Sequence, residues 1–270
     1  MFLASFRRAL PLALLSLLIA PAAAQNSLSD QIQIAPPMRQ VPPPSPTASA
    51  TELEKQGDVL RAERHYLDAV DYYKAALTKT PGTAAVYNKL GICDLMLQRL
   101  KEAGKEFERA IKGNRTFAEA VNNLGVINYE RHKYHSAIKE YKKALSLQSD
   151  SASFYSNLGA AYFAKKDFER ATQAYAKAVQ LDPGIFDRTS HSGIAAQMAS
   201  PEDRAHYDYV LAKLYAKIGD KDHSLEFLRK SMEEGYKGVN DVYTDPEFAD
   251  LRKDARFDQL MKSKPVAIPE

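Results

Sequence analysis

The sequence predicts an all-α fold in which one helical hairpin is repeated and stacked, and three observations carry that prediction. Small and aromatic residues stand in constant register: Gly57, Gly91, Gly125 and Gly159 lie 34 residues apart, as do Ala69, Ala103, Ala137 and Ala171. Tyr73, Phe107, Tyr141 and Tyr175 keep the same spacing, and so do Ala76, Ala110, Ala144 and Ala178. Within the unit at 152 to 185, Tyr155, Leu158, Gly159 and Tyr162 recur at i, i+3, i+4 and i+7, the spacing of one helix face. After the turn at Lys166-Asp167, Phe168, Ala171, Tyr175, Ala178 and Val179 make a second stripe, which Asp182-Pro183-Gly184 ends because proline cannot continue a helix. Two amphipathic helices back to back form a hairpin. Gly159 and Ala171 are expected where they cross, since close approach of two helix axes needs small side chains.

The same residues resemble the tetratricopeptide repeat (TPR) family. Its signature of aromatic-x2-Leu-Gly-x2-Tyr, then Ala-x3-aromatic, then Pro, is met by residues 152 to 185 throughout. The resemblance covers 50 to 185 directly and, with departures, 205 to about 236. It implies a right-handed α-solenoid of stacked hairpins, whose first helices line a concave groove that holds a peptide or a partner's helix.

In chain order, Met1 to Ala24 reads as a signal peptide. Arg7-Arg8 form a charged start, Ala9 to Ala20 an apolar run, and Pro21-Ala22-Ala23-Ala24 a small-residue cleavage site before Gln25. An uncleaved anchor is the alternative, against which the run is broken by Pro11 and is short of the ~20 residues of a spanning helix. The expectation is an exported, periplasmic or secreted chain with no membrane span after cleavage. Residues 25 to 50, with Pro36, Pro37, Pro42, Pro43, Pro44 and Pro46, read as a disordered proline-rich linker. Pro43-Ser45-Pro46 beside Arg39 leaves a proline-rich ligand as a second option.

Repeat one (50–83) replaces the signature leucine and tyrosine by Gln56 and Leu60, and its first helix carries Thr51, Glu52, Glu54, Lys55, Asp58 and Arg61, a polar face suited to a terminal cap. Repeats two (84–117) and three (118–151) keep Leu90-Gly91 and Leu124-Gly125 but carry Asp94 and Asn128 at the tyrosine position. Repeat four is 152–185. A 186–204 insert then breaks the phase by 19 residues before a degenerate hairpin, 205–236, which places Leu211, Ala212, Tyr215, Ser224, Leu228 and Ser231 in the repeat columns. The insert reads either as a spacer or as a cover for one end of a groove. Ser200-Pro201-Glu202-Asp203 is a helix start signal. In the closing 237–270 segment, Asp245 is expected to cap a helix from Pro246, with Phe248, Leu251, Phe257 and Leu260 as apolar anchors.

Composition excludes more than it assigns. There are 37 basic and 34 acidic residues, and removing Arg7 and Arg8 leaves 35 against 34. No cationic excess exists to track phosphates, so nucleic acid is not an expected partner. Cys93, the single cysteine, shares a column with Val59, Ile127 and Ala161 and reads as a buried thiol, with a reactive role as the alternative. No zinc His-Glu-x-x-His, phosphate-binding glycine loop, Gly-x-Ser-x-Gly elbow or calcium loop occurs, and no cofactor is expected. His132 and His135 flank a turn without further ligands. Asn114-Arg115-Thr116 is a formal glycosylation sequon.

Two function classes remain. One is a non-catalytic scaffold that binds a protein or peptide. The other is an enzyme or enzyme subunit with its chemistry in the 186–204 insert, at His191 or Asp187, or in a partner. By the resemblance, the groove columns are the fifth, ninth and twelfth of each repeat: Asn88, Ile92 and Leu95; Asn122, Val126 and Tyr129; Ser156, Ala160 and Phe163. Relatives that clamp a C-terminal carboxylate carry lysine and asparagine in the first repeat, where this chain has Glu54 and Asp58, so that ligand is disfavoured. Leu95, Tyr129 and Phe163 make a stripe that either takes a partner's apolar side chains or packs on the next repeat; Asn88 and Asn122 suit an extended backbone.

Overall fold

The structure, a computed structural model, describes residues 38–186 and 201–263. Four hairpins follow one another without a change of phase. They are α1 (Ala50–Ala62) with α2 (Tyr66–Lys79), α3 (Ala84–Met96) with α4 (Leu100–Gly113), α5 (Ala118–Glu130) with α6 (Tyr134–Leu147), and α7 (Ala152–Ala164) with α8 (Phe168–Leu181). A fifth hairpin joins α9 (Pro201–Ile218) to α10 (Lys221–Glu233); short 3-10 turns at Val239–Tyr243, Pro246–Phe248 and Leu251–Lys253 lead to α11 (Ala255–Ser263). The fold is an all-α solenoid.

Each hairpin is locked where its helices cross. A Cβ added to Gly57, Gly91 or Gly125 would stand 2.7, 2.6 and 2.6 Å from the ring of Tyr73, Phe107 and Tyr141, and Gly159 meets Tyr175 in the same way. The glycine is therefore the socket for the ring sixteen positions on. Ala69, Ala103, Ala137 and Ala171 are fully buried beside it. The turns repeat as closely. Arg64, Gln98, His132 and Lys166 hold φ of 64°, 59°, 56° and 59°, and Gly219 does so in the fifth hairpin at 86°. A left-handed residue there lets the next amide reach back to the helix end, as His65 N does to Leu60 O at 2.8 Å and Asp220 N to Tyr215 O at 3.0 Å.

The fifth hairpin keeps this interior with other residues. Ala212 stands in the glycine column and Leu228 in the ring column, both fully buried, so a methyl group fills the socket that a smaller partner vacates. Ser224 takes the alanine column and donates its Oγ to Ala212 O at 2.8 Å.

The seam to the preceding hairpin is different in kind. In the regular array the end of a first helix meets the start of the second helix before it. Arg131, just past α5, donates to Leu100 O at 2.9 Å, and Lys165, just past α7, lies 3.2 Å from His135. At the fourth-to-fifth seam the two starts meet instead: the His206 ring lies 4.3 Å from Phe168, the first residue of α8. Further on, Tyr215 OH donates to Pro183 O, beyond the end of α8, at 3.1 Å. So α9 runs in the same sense as α8. Short connections force antiparallel neighbours, whereas a long one leaves the direction to packing.

Both ends of the array are closed by irregular chain. Residues 39–49, within the stretch expected to be a disordered linker, lie along α2. Arg39 Nε pairs with Asp71 at 2.5 Å, and the amides of Gln40 and Val41 donate to the buried Asp68 at 3.1 and 3.4 Å. Tyr72 OH and Lys79 Nζ donate to the carbonyls of Pro42 and Pro46 at 3.2 and 2.8 Å. Prolines cannot donate but present carbonyls, and the amides of the two residues just before the proline run both find one carboxylate. Arg39 and the carbonyls of Pro42 and Pro46 are thereby engaged within the chain, while Pro42, Pro43 and Pro46 themselves stay exposed. At the other end, Phe248, Leu251, Phe257 and Leu260 are buried. Asp245 makes no cap to the turn it precedes; its carboxylate accepts from Tyr209 OH at 2.9 Å and Lys213 Nζ at 3.0 Å. Two strong donors on α9 outcompete backbone amides of a short turn. Asp187, His191 and Ser200 lie outside the described residues.

Candidate interaction surface

The first four hairpins are joined by a polar ladder whose rungs recur with the 34-residue repeat, each linking residues 35 apart. Lys89 Nζ donates to Glu54 at 2.8 Å, Asn123 Nδ2 to Asn88 Oδ1 at 3.0 Å, and Asn157 Nδ2 to Asn122 Oδ1 at 3.1 Å. In each case the sixth column of one repeat reaches the fifth column of the one before. Asn122 Nδ2 also donates to Asn123 Oδ1 at 3.2 Å, which links the amide rungs. Lys89 further binds Asp58 at 2.7 Å, so the two acids of the first repeat's groove columns share one ammonium group. The ladder stops at Ser156, because the rung beyond it is Val210, which has no polar atom in its side chain.

Sequence reasoning named Asn88 and Asn122 and missed Asn123 and Asn157. The missed signal was present: Lys89, Asn123 and Asn157 form a column of their own. Asn88, Asn122 and Asn157 are buried, and each amide has four hydrogen-bonding positions, of which the ladder uses only part.

The apolar stripe has a different fate. Leu95 and Tyr129 are 9% exposed, Val126 3%, Ala160 6% and Phe163 2%. The Phe163 ring is enclosed by Phe168, His206 and Tyr207 at centroid distances of 5.2, 5.5 and 5.8 Å, and Tyr129 packs on Tyr134 at 5.3 Å. Of the two options for Leu95, Tyr129 and Phe163, the geometry is that of packing between helices, not of an open apolar surface. Ile92 and Ser156 remain half-buried on this face.

In the fifth hairpin the equivalent columns carry the chain's own continuation. Tyr209 stacks on Tyr236 at 4.6 Å and lies 5.6 Å from the Phe248 ring, and Lys213 binds Asp245 and Glu247 at 3.0 and 3.4 Å. These first-helix positions therefore hold an irregular segment by two aromatic contacts and one ion-pair cluster.

Other candidates carry less. Cys93 is fully buried and burial pushes its thiol up to about 12, so thiolate chemistry is suppressed. His132 Nδ1 is 2.8 Å from Tyr134 OH while His135 turns to Lys165, so the two rings serve different neighbours. Among the described residues no group of three or more His, Cys, Asp or Glu could hold a metal ion. Among them, too, no helix is long and apolar enough to cross a membrane.

Stacked hairpins, joined by polar rungs and closed at both ends, define a helical-repeat scaffold for interaction with other proteins. The chain is a tetratricopeptide-repeat protein: tetratricopeptide repeat models match residues 54–119 and 152–185, and a TPR repeat model matches 127–166. No curated protein matches it in sequence. Among solved structures it is similar to MamA, with 22% identity over 66% of this chain and 93% of that one, at a TM-score of 0.47. It is also similar to YrrB, described as a TPR protein with an unusual peptide-binding site, at 17% identity over 73% and 91% of the two chains and a TM-score of 0.47. PilF of Pseudomonas aeruginosa gives 18% identity over 76% and 82%, with a TM-score of 0.49. At such identities and TM-scores, nothing about what this chain binds follows from them.

Proposed function

We propose that this protein is an exported, non-catalytic scaffold that holds an extended segment of a partner protein along the first-helix face of hairpins two to four. The observation that carries this reading is the amide ladder. Asn88, Asn123, Asn122 and Asn157 are fixed by one another, so their remaining donors and acceptors are pre-oriented, and a peptide backbone would pay little to order them. Ile92 and Ser156, the half-buried members of the groove columns, flank the ladder and would meet the partner's side chains. The self-contact of Tyr209 and Lys213 with the C-terminal segment supports the use of such columns to hold irregular chain.

The test is capture from the native compartment by the full chain, with mass spectrometry of what is retained. A stoichiometric protein partner is expected, and Ser156→Arg or Ile92→Ser should each reduce its retention per folded molecule by about tenfold; because Ile92 also packs on the core, the folded fraction of that variant is measured alongside. Retention unchanged in both variants would place the partner elsewhere. Export through Met1 to Ala24 is part of the same proposal; N-terminal sequencing of the exported protein should begin at Gln25, and a chain that still begins at Met1 in a membrane fraction overturns it.

A further inference from the structure

We propose that the cleft between α8 and α9 is a second docking site, whose occupant is a partner segment in which an aliphatic or aromatic side chain is flanked by lysine or arginine. The proposal rests on the scaffold reading but not on the amide ladder. Because α9 runs in the same sense as α8, the two helices do not close on each other as α4 and α5 do. There, a Cβ on Gly104 would lie 3.5 Å from Ile127, and Arg131 seals the seam by bonding Leu100 O. The equivalent positions are Thr172 and Leu214, and both line an open cleft of about 840 Å³. That volume accommodates several side chains.

The lining has a definite chemistry. Val210 and Leu214 form a buried apolar floor, Phe168 is half-buried at one side, and Ile218 stands at the mouth 53% exposed. A branched aliphatic side chain left largely in water beside an apolar floor gains by being covered. The charges are unequal. Among the described residues that line the cleft, four carboxylates, Glu169, Asp241, Asp245 and Glu247, stand against two ammonium groups, Lys213 and Lys217, and Lys213 is already paired with Asp245 and Glu247. His206 adds no cation near neutral pH, since burial lowers its pKa. An excess of negative charge around an apolar floor complements a cationic amphipathic segment and repels an acidic one.

Fluorescence anisotropy of the full chain with three labelled synthetic peptides tests this. The first alternates lysine with leucine and phenylalanine, the second has glutamate for each lysine, and the third has serine for each apolar residue. The first peptide should bind at least about tenfold more tightly than either of the others, and more weakly as salt is raised. Ile218→Ser and Asp241→Lys, both at exposed positions, should each weaken it by about tenfold at an unchanged thermal midpoint, while Ser156→Arg should leave it unaltered. The proposal fails if the first peptide does not bind, if the glutamate peptide binds equally well, or if neither cleft substitution changes the affinity. Loss with Ser156→Arg alone would return the peptide to the first-helix face, separating this failure from that of the ladder.

Discussion

The first four hairpins and the fifth solve one packing problem in two ways. In the array a glycine receives an aromatic ring, as Gly125 receives Tyr141; in the fifth hairpin Ala212 meets Leu228. The hairpin interior is thus conserved in volume while its chemistry changes, which is the condition under which a core substitution is tolerated. The outsides differ more. Polar rungs every 34 residues bind hairpins one to four to each other, whereas the fifth is held to the fourth by the rings of Phe163, Phe168, His206 and Tyr207. A directional ladder sets the register of stacking; an aromatic cluster is not directional and tolerates a reversed helix.

The sharpest way to break this comparison is to exchange the sockets. Gly125→Ala drives a methyl group into a buried ring and should destabilise by about 1–3 kcal/mol, even though alanine is the better helix former by ~1 kcal/mol. Adding Tyr141→Leu recreates the Ala212–Leu228 pair and should recover part of that loss. Chemical denaturation of the single and double variants reads both. A double variant no more stable than Gly125→Ala would mean that the two interiors are not equivalent.

A second effect is largest in the fifth hairpin, although burial also raises the carboxyls of Asp94 and Glu130 in the array. Asp208 is 8% exposed, and burial, with Glu234 adding to it and Lys230 and Arg204 opposing, pushes its carboxyl up to about 7. The folded state then binds the proton more tightly than the unfolded state, whose aspartate titrates near ~4. Stability therefore falls as pH rises from about 4 to about 7, by roughly 2–4 kcal/mol over the window, and is regained on acidification. Thermal midpoints across that range should show the slope, and Asp208→Asn should flatten it. An equal slope in the asparagine variant would assign it to other groups.

The smallest effect is expected at Ser231, which stands in the column of Ala76, Ala110, Ala144 and Ala178. Its Oγ is buried with no hydrogen-bond partner among the described residues. Ser231→Ala removes an unsatisfied hydroxyl and should leave stability unchanged or raise it by up to about 1 kcal/mol. A clear loss would reveal a partner for the hydroxyl and a fifth hairpin less like the others than its interior suggests.

What the sequence determined by itself is whatever acts over one hairpin or between identical neighbours. The glycine socket and its ring are sixteen residues apart on helices joined by a tight turn, so their register is written in the spacing. The same holds for the ladder, legible in the column of Lys89, Asn123 and Asn157, but not for the left-handed turns, which Arg64, Gln98, His132 and Lys166 make without a glycine to announce them. Tertiary structure alone decided the rest. Whether Leu95, Tyr129 and Phe163 face a groove or a neighbour depends on which helix covers them, and for Phe163 that helix lies beyond the insert. The direction of α9, the docking of 39–49 on α2 and the hold of Tyr209 and Lys213 on Asp245 have the same origin. Periodicity constrains neighbours joined by short turns; a long connection or an irregular end costs little extra entropy wherever it goes, so the side chains it meets choose its place.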